Sequence, residues 1–295
     1  MQMVTRIVIV WVMRIVLASV LVLVLAGCGG ASAQHGPTVV AAFYPLAWAA
    51  EHVAGGTAHV RNLTPPGAEP HDIELTPKDV ADLERADVVL YLSHGFQPAV
   101  EQALRGARGK RVDALAGVSL RSGVGDEAGK TDPHVWLDPV LFARVVQRVG
   151  TALGDTRRGD ALARRVHALD GVYRTGLTHC ARRDFVTSHA AFGYLAARYG
   201  LHQIAITGLD PEAEPSAARL RDLANLVRRD HVRVVFFEKL VSPKLAETVA
   251  REAGVQTAVL DPIEGLTPAE QRSGDDYLTL MRRNLAALRE ALGCR

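Results

Sequence analysis

Three histidines and one aspartate each lie in a loop after, or between, predicted regular elements, and each has a proline or a turn beside it. They are His71, His134, His189 and Asp261, two in each half of the chain. Imidazole nitrogen and carboxylate oxygen are suitable zinc ligands, and four such groups fill a tetrahedral shell. The four residues are far apart in sequence, so the fold must assemble this candidate metal site.

The segment from Asp132 to Pro139 shows how one of these histidines is held. His134 precedes a long segment with apolar residues at helical spacing. Asp138 is suited to cap that helix, and Pro139 suits its first turn, where no backbone donor is needed. We therefore expect His134 to lie on a stiff loop whose direction is fixed by its neighbours.

The remaining histidines differ in their sequence context. His94, in Ser-His-Gly-Phe, follows the apolar run 88–92, so we expect it near a strand end, where it would line the cleft. A lone histidine is more often a surface or satisfied polar residue than a ligand. That interpretation suffices for the seven that fall in the N-terminal tether, on helices, inside strands or beside charged runs: His35, His52, His59, His167, His179, His202 and His231.

Short apolar runs alternate with helical patterns along most of the chain, which predicts α/β architecture with mainly parallel sheets. Residues 38–155 and 183–295 each carry a complete pattern of this kind, approximately (βα)4, and so predict two lobes. Residues 156–182 read as one long charged helix, either a crossover within one domain or a rigid rod between lobes, and we favour the rod. Ligands bind beyond the carboxyl ends of parallel strands, so we expect the metal near these ends of the strands.

The N-terminal residues 1–28 read as a lipoprotein signal segment. Two arginines precede an apolar run, and Leu-Ala-Gly-Cys ends at Cys28, which would be lipidated after cleavage. Residues 29–37 then read as a flexible tether. The alternatives are an ordinary signal peptide with an incidental cysteine, or an uncleaved anchor that uses residues 7–25. The expected location is the outer face of the cytoplasmic membrane, or the periplasm.

The charge balance argues against a nucleic-acid partner. The chain has 34 basic and 32 acidic residues, and removing Arg6 and Arg14 with the signal segment leaves 32 of each. A nucleic-acid surface would need a basic excess.

Five motifs, in order along the whole mature chain, resemble the metal-binding lipoproteins of bacterial ABC importers for zinc and manganese. They are Glu-Pro-His-Asp-Ile-Glu-Leu-Thr-Pro (69–77), Asp-Pro-His-Val-Trp-Leu-Asp-Pro (132–139), Ser-His-Ala-Ala-Phe-Gly-Tyr-Leu (188–195) with Tyr-Gly-Leu (199–201), Asp-Pro-Glu-Ala-Glu-Pro-Ser (210–216) and Leu-Asp-Pro (260–262). The resemblance implies two α/β lobes joined by one long rigid helix, with a metal held in the cleft between them by His71, His134, His189 and Asp261.

The third ligand position bears on which metal is bound. Family members regarded as manganese-specific generally have glutamate there, whereas this chain has His189. Three imidazoles and one carboxylate suit Zn²⁺, and oxygen-rich shells suit Mn²⁺, so we expect zinc, with manganese as the alternative. The histidine-rich loop that zinc members often carry is missing, because residues 115–131 contain no histidine.

Cys180 and Cys294 are the two cysteines that would remain after lipidation. Zinc-binding relatives can carry a disulfide in the second lobe, and an exported protein favours oxidation, so we expect these two to be paired. Two unpaired thiols are the alternative.

The expected function is capture of extracytoplasmic zinc and its delivery to an ABC permease with its ATPase, by a monomeric binding protein that is not an enzyme. A zinc metallochaperone is a further candidate partner. Glu69, Asp72 and Glu238 are the candidates to line the cleft and orient the imidazoles. The rival functions are a zinc-dependent hydrolase, which would keep a ligand position open for water, and an adhesin in which metal only stabilises the fold.

Overall fold

Two four-stranded parallel sheets organise the chain in this computed structural model, which describes residues 36–123 and 127–295. Residues 37–295 form one compact unit. The predicted signal segment, Cys28 and all but the end of the predicted tether lie outside the described residues. Among the residues described, no helix combines the length and the apolar character needed to cross a bilayer.

The first lobe has the strand order β2-β1-β3-β4, with every neighbouring pair parallel. Its elements in chain order are β1 (Thr38–Ala41), α1 (Tyr44–Ala54), β2 (His59–Asn62), α2 (Pro77–Arg85), β3 (Val88–Tyr91), α3 (Pro98–Ala103) and β4 (Lys110–Asp113). The central strands are apolar and buried on both faces, as expected for a parallel sheet covered by helices. Helix α2 begins with a capping box in which Thr76 and Asp79 bond reciprocally, and Pro77 occupies the first turn.

A small hairpin and two helices lead out of this lobe. They are β5 (Arg121–Ser122) and β6 (Thr131–Asp132), which pair antiparallel, then α4 (Pro139–Ala152) and the connecting helix α5 (Thr156–Gly176). A short 3₁₀ turn, Val135–Leu137, lies between β6 and α4. The Asp138 side chain accepts hydrogen bonds from the amides of Val140 and Leu141, so it caps α4 as the sequence predicts.

The second lobe repeats the arrangement with the strand order β10-β9-β7-β8, again all parallel. Its elements are β7 (Asp184–Thr187), α6 (Gly193–Tyr199), β8 (His202–Ala205), α7 (Ala217–Arg229), β9 (Val234–Phe237), α8 (Lys244–Ala253), β10 (Gln256–Val259), α9 (Pro268–Ser273) and α10 (Tyr277–Leu292). The predicted fold class, two α/β lobes with mainly parallel sheets, is therefore confirmed.

The apolar core extends from one lobe into the other. One large cluster of buried side chains includes strands of the first sheet, helices α4 and α5, and apolar residues of α6 and α10. A smaller cluster lies between the second sheet and helices α7 and α8. Cys180 and Cys294 form a disulfide that ties the segment after α5 to the C-terminal end of α10. Continuous packing of this kind resists large movements of one lobe against the other.

Candidate metal site

The candidate ligands lie in segments that follow or adjoin the carboxyl ends of strands. His71 lies in the segment between β2 and α2, and His134 follows β6 just before the 3₁₀ turn. His189 comes two residues after β7, and the loop that begins at Leu260 follows β10. Parallel strands bring these ends to one edge of each sheet, which is where ligands bind in folds of this class.

Three of the four predicted ligands come together, and their fourth neighbour is Glu264. One potential ligand atom each from His71, His134, His189 and Glu264 lies within 4.8 Å of all the others. The Oε1 atom of Glu264 is 3.4 Å from His71 Nε2, 3.3 Å from His134 Nε2 and 3.5 Å from His189 Nε2. The Nε2 atoms of His134 and His189 are 3.2 Å apart.

These separations match a tetrahedral zinc shell. Zinc lies about 2.0–2.1 Å from imidazole nitrogen and carboxylate oxygen, so neighbouring ligands in a tetrahedron are about 3.3–3.4 Å apart. Four of the six separations among the ligand atoms, from 3.2 to 3.5 Å, fall close to that value, and all six are within 4.8 Å. The donor set of three nitrogens and one oxygen therefore fits Zn²⁺ in both chemistry and spacing.

Asp261 lies outside this group, although it belongs to the same loop as Glu264. Its Oδ1 accepts a hydrogen bond from the amide of Ile263 at 2.7 Å, and its Oδ2 is 3.3 Å from Lys239 Nζ. Its backbone amide donates to the Asn284 side chain, which donates in turn to the Asp261 carbonyl. The Asp261 side chain is thus occupied in shaping the loop, and the carboxylate that lies among the three histidines is that of Glu264.

Carboxylates hold two of the imidazoles from behind. Asp132 Oδ1 lies 2.8 Å from His134 Nδ1, and Glu238 Oε1 lies 2.7 Å from His189 Nδ1. Each carboxylate also accepts the backbone N–H of its histidine. An Nδ1–H donated to a carboxylate leaves Nε2 free to face a metal and makes it a stronger ligand. Glu238 is one of the three carboxylates that the sequence offered as candidates to orient the imidazoles, whereas Asp132 was not among them.

Glu69 and Asp72 behave differently from each other. Glu69 Oε2 accepts the His71 backbone N–H at 2.8 Å and so shapes the loop that carries this histidine. Its other oxygen is buried, has no hydrogen-bond partner among the described residues, and lies 4.0 Å from His71 Nε2. Asp72 is exposed, so its side chain points away from the site.

The group has a distinctive charge state. Burial favours the neutral form of Glu264, but the three imidazoles around it hold the pKa of its carboxyl well below its usual range. Burial also disfavours a charged His189, yet the carboxylates of Glu238 and Glu264 raise its pKa well above the usual value. Burial lowers the pKa of His71 despite the nearby Glu264. Burial and the charge of Glu264 raise the pKa of Glu69 to about 8.

A cavity of about 460 Å³ opens onto one side of this group. His71 and the exposed His94 both line it, together with Phe96, Glu127 and Pro133 among others. The His71 side chain is 12% exposed, whereas those of His134 and His189 are fully buried, so His71 faces the entrance. His94 thus lines the same cavity as His71.

Two residues of the site, Glu264 and Asp132, were not among the site residues predicted from the sequence. Glu264 lies between Pro262 and Gly265 and three residues before Thr267, which caps α9. His134 similarly lies four residues before Asp138, the cap of α4. A polar ligand type just ahead of a capped helix with proline in its first turn was therefore a usable indication of Glu264.

The sequence from residue 39 to residue 291 matches the family described as zinc-uptake complex component A, periplasmic. The zinc-binding lipoprotein AdcA of Streptococcus pneumoniae is 36% identical over 94% of this chain, which spans about 60% of that protein's length. The high-affinity zinc uptake system protein ZnuA of Bacillus subtilis is 34% identical, with 92% of this chain and 94% of that protein covered.

Solved structures agree with this match. The Zn(II)-bound ZnuA-like domain of Streptococcus pneumoniae AdcA aligns with a TM-score of 0.74 at 36% identity, over 87% of this chain and 99% of that domain. The laminin-binding protein Lmb of Streptococcus agalactiae, described as having adhesin and metal-transporting activity, aligns with a TM-score of 0.80 at 30% identity, over 88% of this chain and all of that one. The chain belongs to the family of the zinc-uptake complex component A.

Proposed function

We propose that this protein binds Zn²⁺ outside the cytoplasmic membrane and delivers it to an ABC permease with its ATPase. The observation that carries the proposal is the grouping of His71, His134, His189 and Glu264, whose ligand atoms all lie within 4.8 Å of one another. Four of the six separations are 3.2–3.5 Å, close to the edge of a zinc tetrahedron. The relatives named above are described as zinc-binding and zinc-uptake proteins, which supports the same metal here.

Zinc is favoured over manganese by ligand type. Three imidazole nitrogens and one carboxylate oxygen suit Zn²⁺, whereas Mn²⁺ favours oxygen-rich shells with more ligands. His189 supplies the third nitrogen, and its Nδ1 contact with Glu238 turns Nε2 toward the other ligands. We therefore propose Glu264, in place of Asp261, as the single oxygen donor of the shell.

A binding role is also favoured over catalysis. A catalytic zinc usually keeps one position open for water, beside a general base. The four ligand atoms here would fill a tetrahedral shell, which leaves no such position. We accordingly propose a carrier that is not an enzyme, with His71 at the solvent side, where metal enters and leaves.

We further propose that the protein is exported and held to the membrane by a lipid on Cys28. Residues 1–28 would be the signal segment and 29–37 the tether, ahead of lobes at 38–155 and 183–295 joined by the segment 156–182. Relatives that carry the name lipoprotein support this arrangement. Such a tether would keep a monomeric carrier near its permease.

The test is a competition titration of metal-free protein, residues 29–295, against a chromogenic zinc chelator. We expect tight binding of one Zn²⁺ by the wild type and a loss of at least about a hundredfold in affinity for His189→Ala. His202→Ala is the matched control, because His202 also pairs through Nδ1 with a carboxylate, that of Asp184, but is exposed and distant from the site. No tight binding by the wild type, or equal loss in both variants, would defeat the proposal.

Folding of the metal-free protein separates a carrier from a protein in which zinc is structural. A carrier must remain folded after release, and here the apolar core includes both lobes without help from the site. We therefore expect cooperative thermal unfolding in excess chelator. An unfolded metal-free protein would favour a structural role for zinc.

A further inference from the structure

We propose that helix α6 of the second lobe clamps the loop that carries His134, with Tyr194 and Arg198 as positioning residues for this ligand. The two side chains lie four residues apart and so project from the same face of the helix. They contact the two ends of the segment from Asp132 to Asp138. The inference rests on the proposed zinc site, in which His134 is a ligand.

Tyr194 holds the first end of the loop. Its hydroxyl donates to the backbone carbonyl of Asp132 at 2.9 Å and accepts the backbone N–H of Arg121 at 2.8 Å. The Asp132 carboxylate accepts the backbone N–H of His134 at 3.0 Å and lies 2.8 Å from its Nδ1. Tyr194 therefore fixes the residue that sets the direction of the His134 imidazole.

Arg198 holds the other end. Its Nε lies 2.5 Å from Asp138 Oδ1, the oxygen that caps α4, and its Nη1 lies 3.7 Å from Asp170 on the connecting helix. The carboxylate of Asp138 is 5% exposed and the Arg198 side chain 22% exposed, so water screens this ion pair only in part. The guanidinium thus joins α6, the start of α4 and α5 at one point.

The start of α6 is shaped for this contact. A β-carbon added at Gly193 would lie 2.8 Å from Asp132 Oδ2, closer than such contacts occur, so a larger residue there would displace the carboxylate that holds His134. His189 lies four residues before Gly193 on the same stretch of chain. His134 is consequently held by α6, the helix that follows His189, although His134 itself lies in the segment that leads out of the first lobe.

His71 is held by a different set of contacts. The carbonyl of the preceding Pro70 accepts a hydrogen bond from the Gln97 side chain at 3.0 Å, within the first lobe. The 3.2 Å between the Nε2 atoms of His134 and His189 thus depends on the clamp at His134 and on Glu238 at His189, whereas the position of His71 depends on first-lobe contacts. His134 and His189 form a prearranged pair, and the clamp keeps that pair ready for metal.

The test measures zinc affinity and dissociation rate for Tyr194→Phe and Arg198→Met in the full chain, purified in detergent. Loss of a group that orients a metal ligand typically costs 10–100-fold in affinity. We expect about a tenfold weaker affinity for each variant, mostly through faster release to a chelator. Arg198→Lys keeps the positive charge and should recover part of the lost affinity. Tyr194→Phe and Arg198→Met act on opposite ends of the loop, so if one variant misfolds, the other still tests the proposal.

Two controls remove similar groups elsewhere. Tyr173→Phe deletes a fully buried hydroxyl that donates to the Met281 carbonyl at 2.6 Å, and Arg158→Met deletes a half-buried guanidinium that donates to the Ala54 carbonyl. Both should lower the melting temperature and leave zinc affinity within about threefold of the wild type. If Tyr194→Phe and Arg198→Met affect affinity no more than these controls, the clamp is refuted.

A double-mutant cycle identifies the ligand through which Tyr194 acts. In a His134→Ala background the effect of Tyr194→Phe on zinc affinity should vanish, because its target is gone. An undiminished effect would refute positioning through His134 and indicate a general structural role. Absence of zinc binding by the wild type would instead overturn the proposed function, so the two failures are distinguishable.

Discussion

The replacements Glu264→Gln and Asp261→Asn separate the two carboxylates of the loop after β10, since both preserve side-chain shape. Glu264 faces three imidazole nitrogens at 3.3–3.5 Å, and Asp261 faces Lys239 and the amide of Ile263. The Glu264 side chain is 2% exposed, so the cost of removing it from water is borne by the metal-free protein. Zinc binding therefore does not include the cost of removing this carboxylate from water, but it does replace the attraction between the carboxylate and a protonated His189.

The size of the effect follows from the role of the group. Groups that only orient a ligand cost 10–100-fold in affinity when lost, so loss of a direct ligand should cost at least about a hundredfold, or about 2.7 kcal/mol. Zinc stabilises the folded state by RT ln(1 + [Zn]/Kd), so Glu264→Gln removes the same free energy from that stabilisation. For a compact unit of about 260 residues this corresponds to about 5 °C.

The assay compares the zinc-induced rise in melting temperature, at one buffered free-zinc concentration, for the wild type and both variants. The rise should be about 5 °C smaller for Glu264→Gln. Asp261→Asn keeps an oxygen for the Ile263 amide and loses only an ion pair with a partly exposed lysine, so the rise should be unchanged, with at most about 1 kcal/mol lost in the metal-free protein. The reverse pattern would refute our reasoning and restore Asp261 as the ligand.

Three further predictions concern pH, the disulfide and the His71 loop. Folding raises the pKa of His189, so the stability that its proton contributes to the metal-free protein is present below about pH 6.5 and is lost as pH rises through the raised pKa. Zinc must displace the proton of His189, so the zinc affinity in competition titrations should increase as pH rises through that pKa. A zinc affinity that does not change with pH would contradict this. Cys180→Ser opens a covalent loop with a sequence separation of 114 residues to Cys294, so urea unfolding should show about 4–5 kcal/mol less stability, whereas an unchanged midpoint would refute that estimate. Gln97→Leu removes the buried amide behind the His71 loop, which should cost about 1–3 kcal/mol in urea unfolding and weaken zinc binding, and unaltered zinc affinity would show that the loop does not need it.

Much of the fold could be predicted because its determinants are local. Buried parallel strands are continuous apolar runs such as Val88–Tyr91. The helices begin at capping residues such as Thr76 and Asp138, which can be recognised from the next four residues of the sequence. The same locality placed His134 and His189 correctly at the ends of elements. The alternation of strands and helices then determined which edge those ends would share.

The carboxylate that joins the three histidines could not be chosen in this way, because the choice depends on backbone direction within one loop. Ile263 has φ 58°, in the left-handed region that a β-branched residue rarely adopts. That conformation turns the chain between Asp261 and Glu264, so the second carboxylate faces the imidazoles and the first faces Lys239. The residue types in this loop do not predict a left-handed backbone conformation at Ile263.

The contacts between α6 and the His134 loop were unpredictable for another reason. Tyr194 and Asp132 are 62 residues apart, and neither residue type is unusual where it stands. Gly193 was the one visible clue, since glycine at the first position of a helix is a poor choice unless another backbone or side chain must come close. A pairing at that distance becomes evident only once both lobes are folded.

The disulfide between Cys180 and Cys294 makes the second lobe a covalent ring. Every strand of the second sheet lies on the arc between the two cysteines, as do His189, Glu238 and Glu264. One proteolytic cut in any loop of that arc therefore yields a nicked molecule whose pieces stay joined until a reductant is added. A protease would have to cut twice, or cut the chain before Cys180, to separate one of these residues from the rest. The ring also closes only after residue 294 has been synthesised, so all strands of this sheet exist before the disulfide can form.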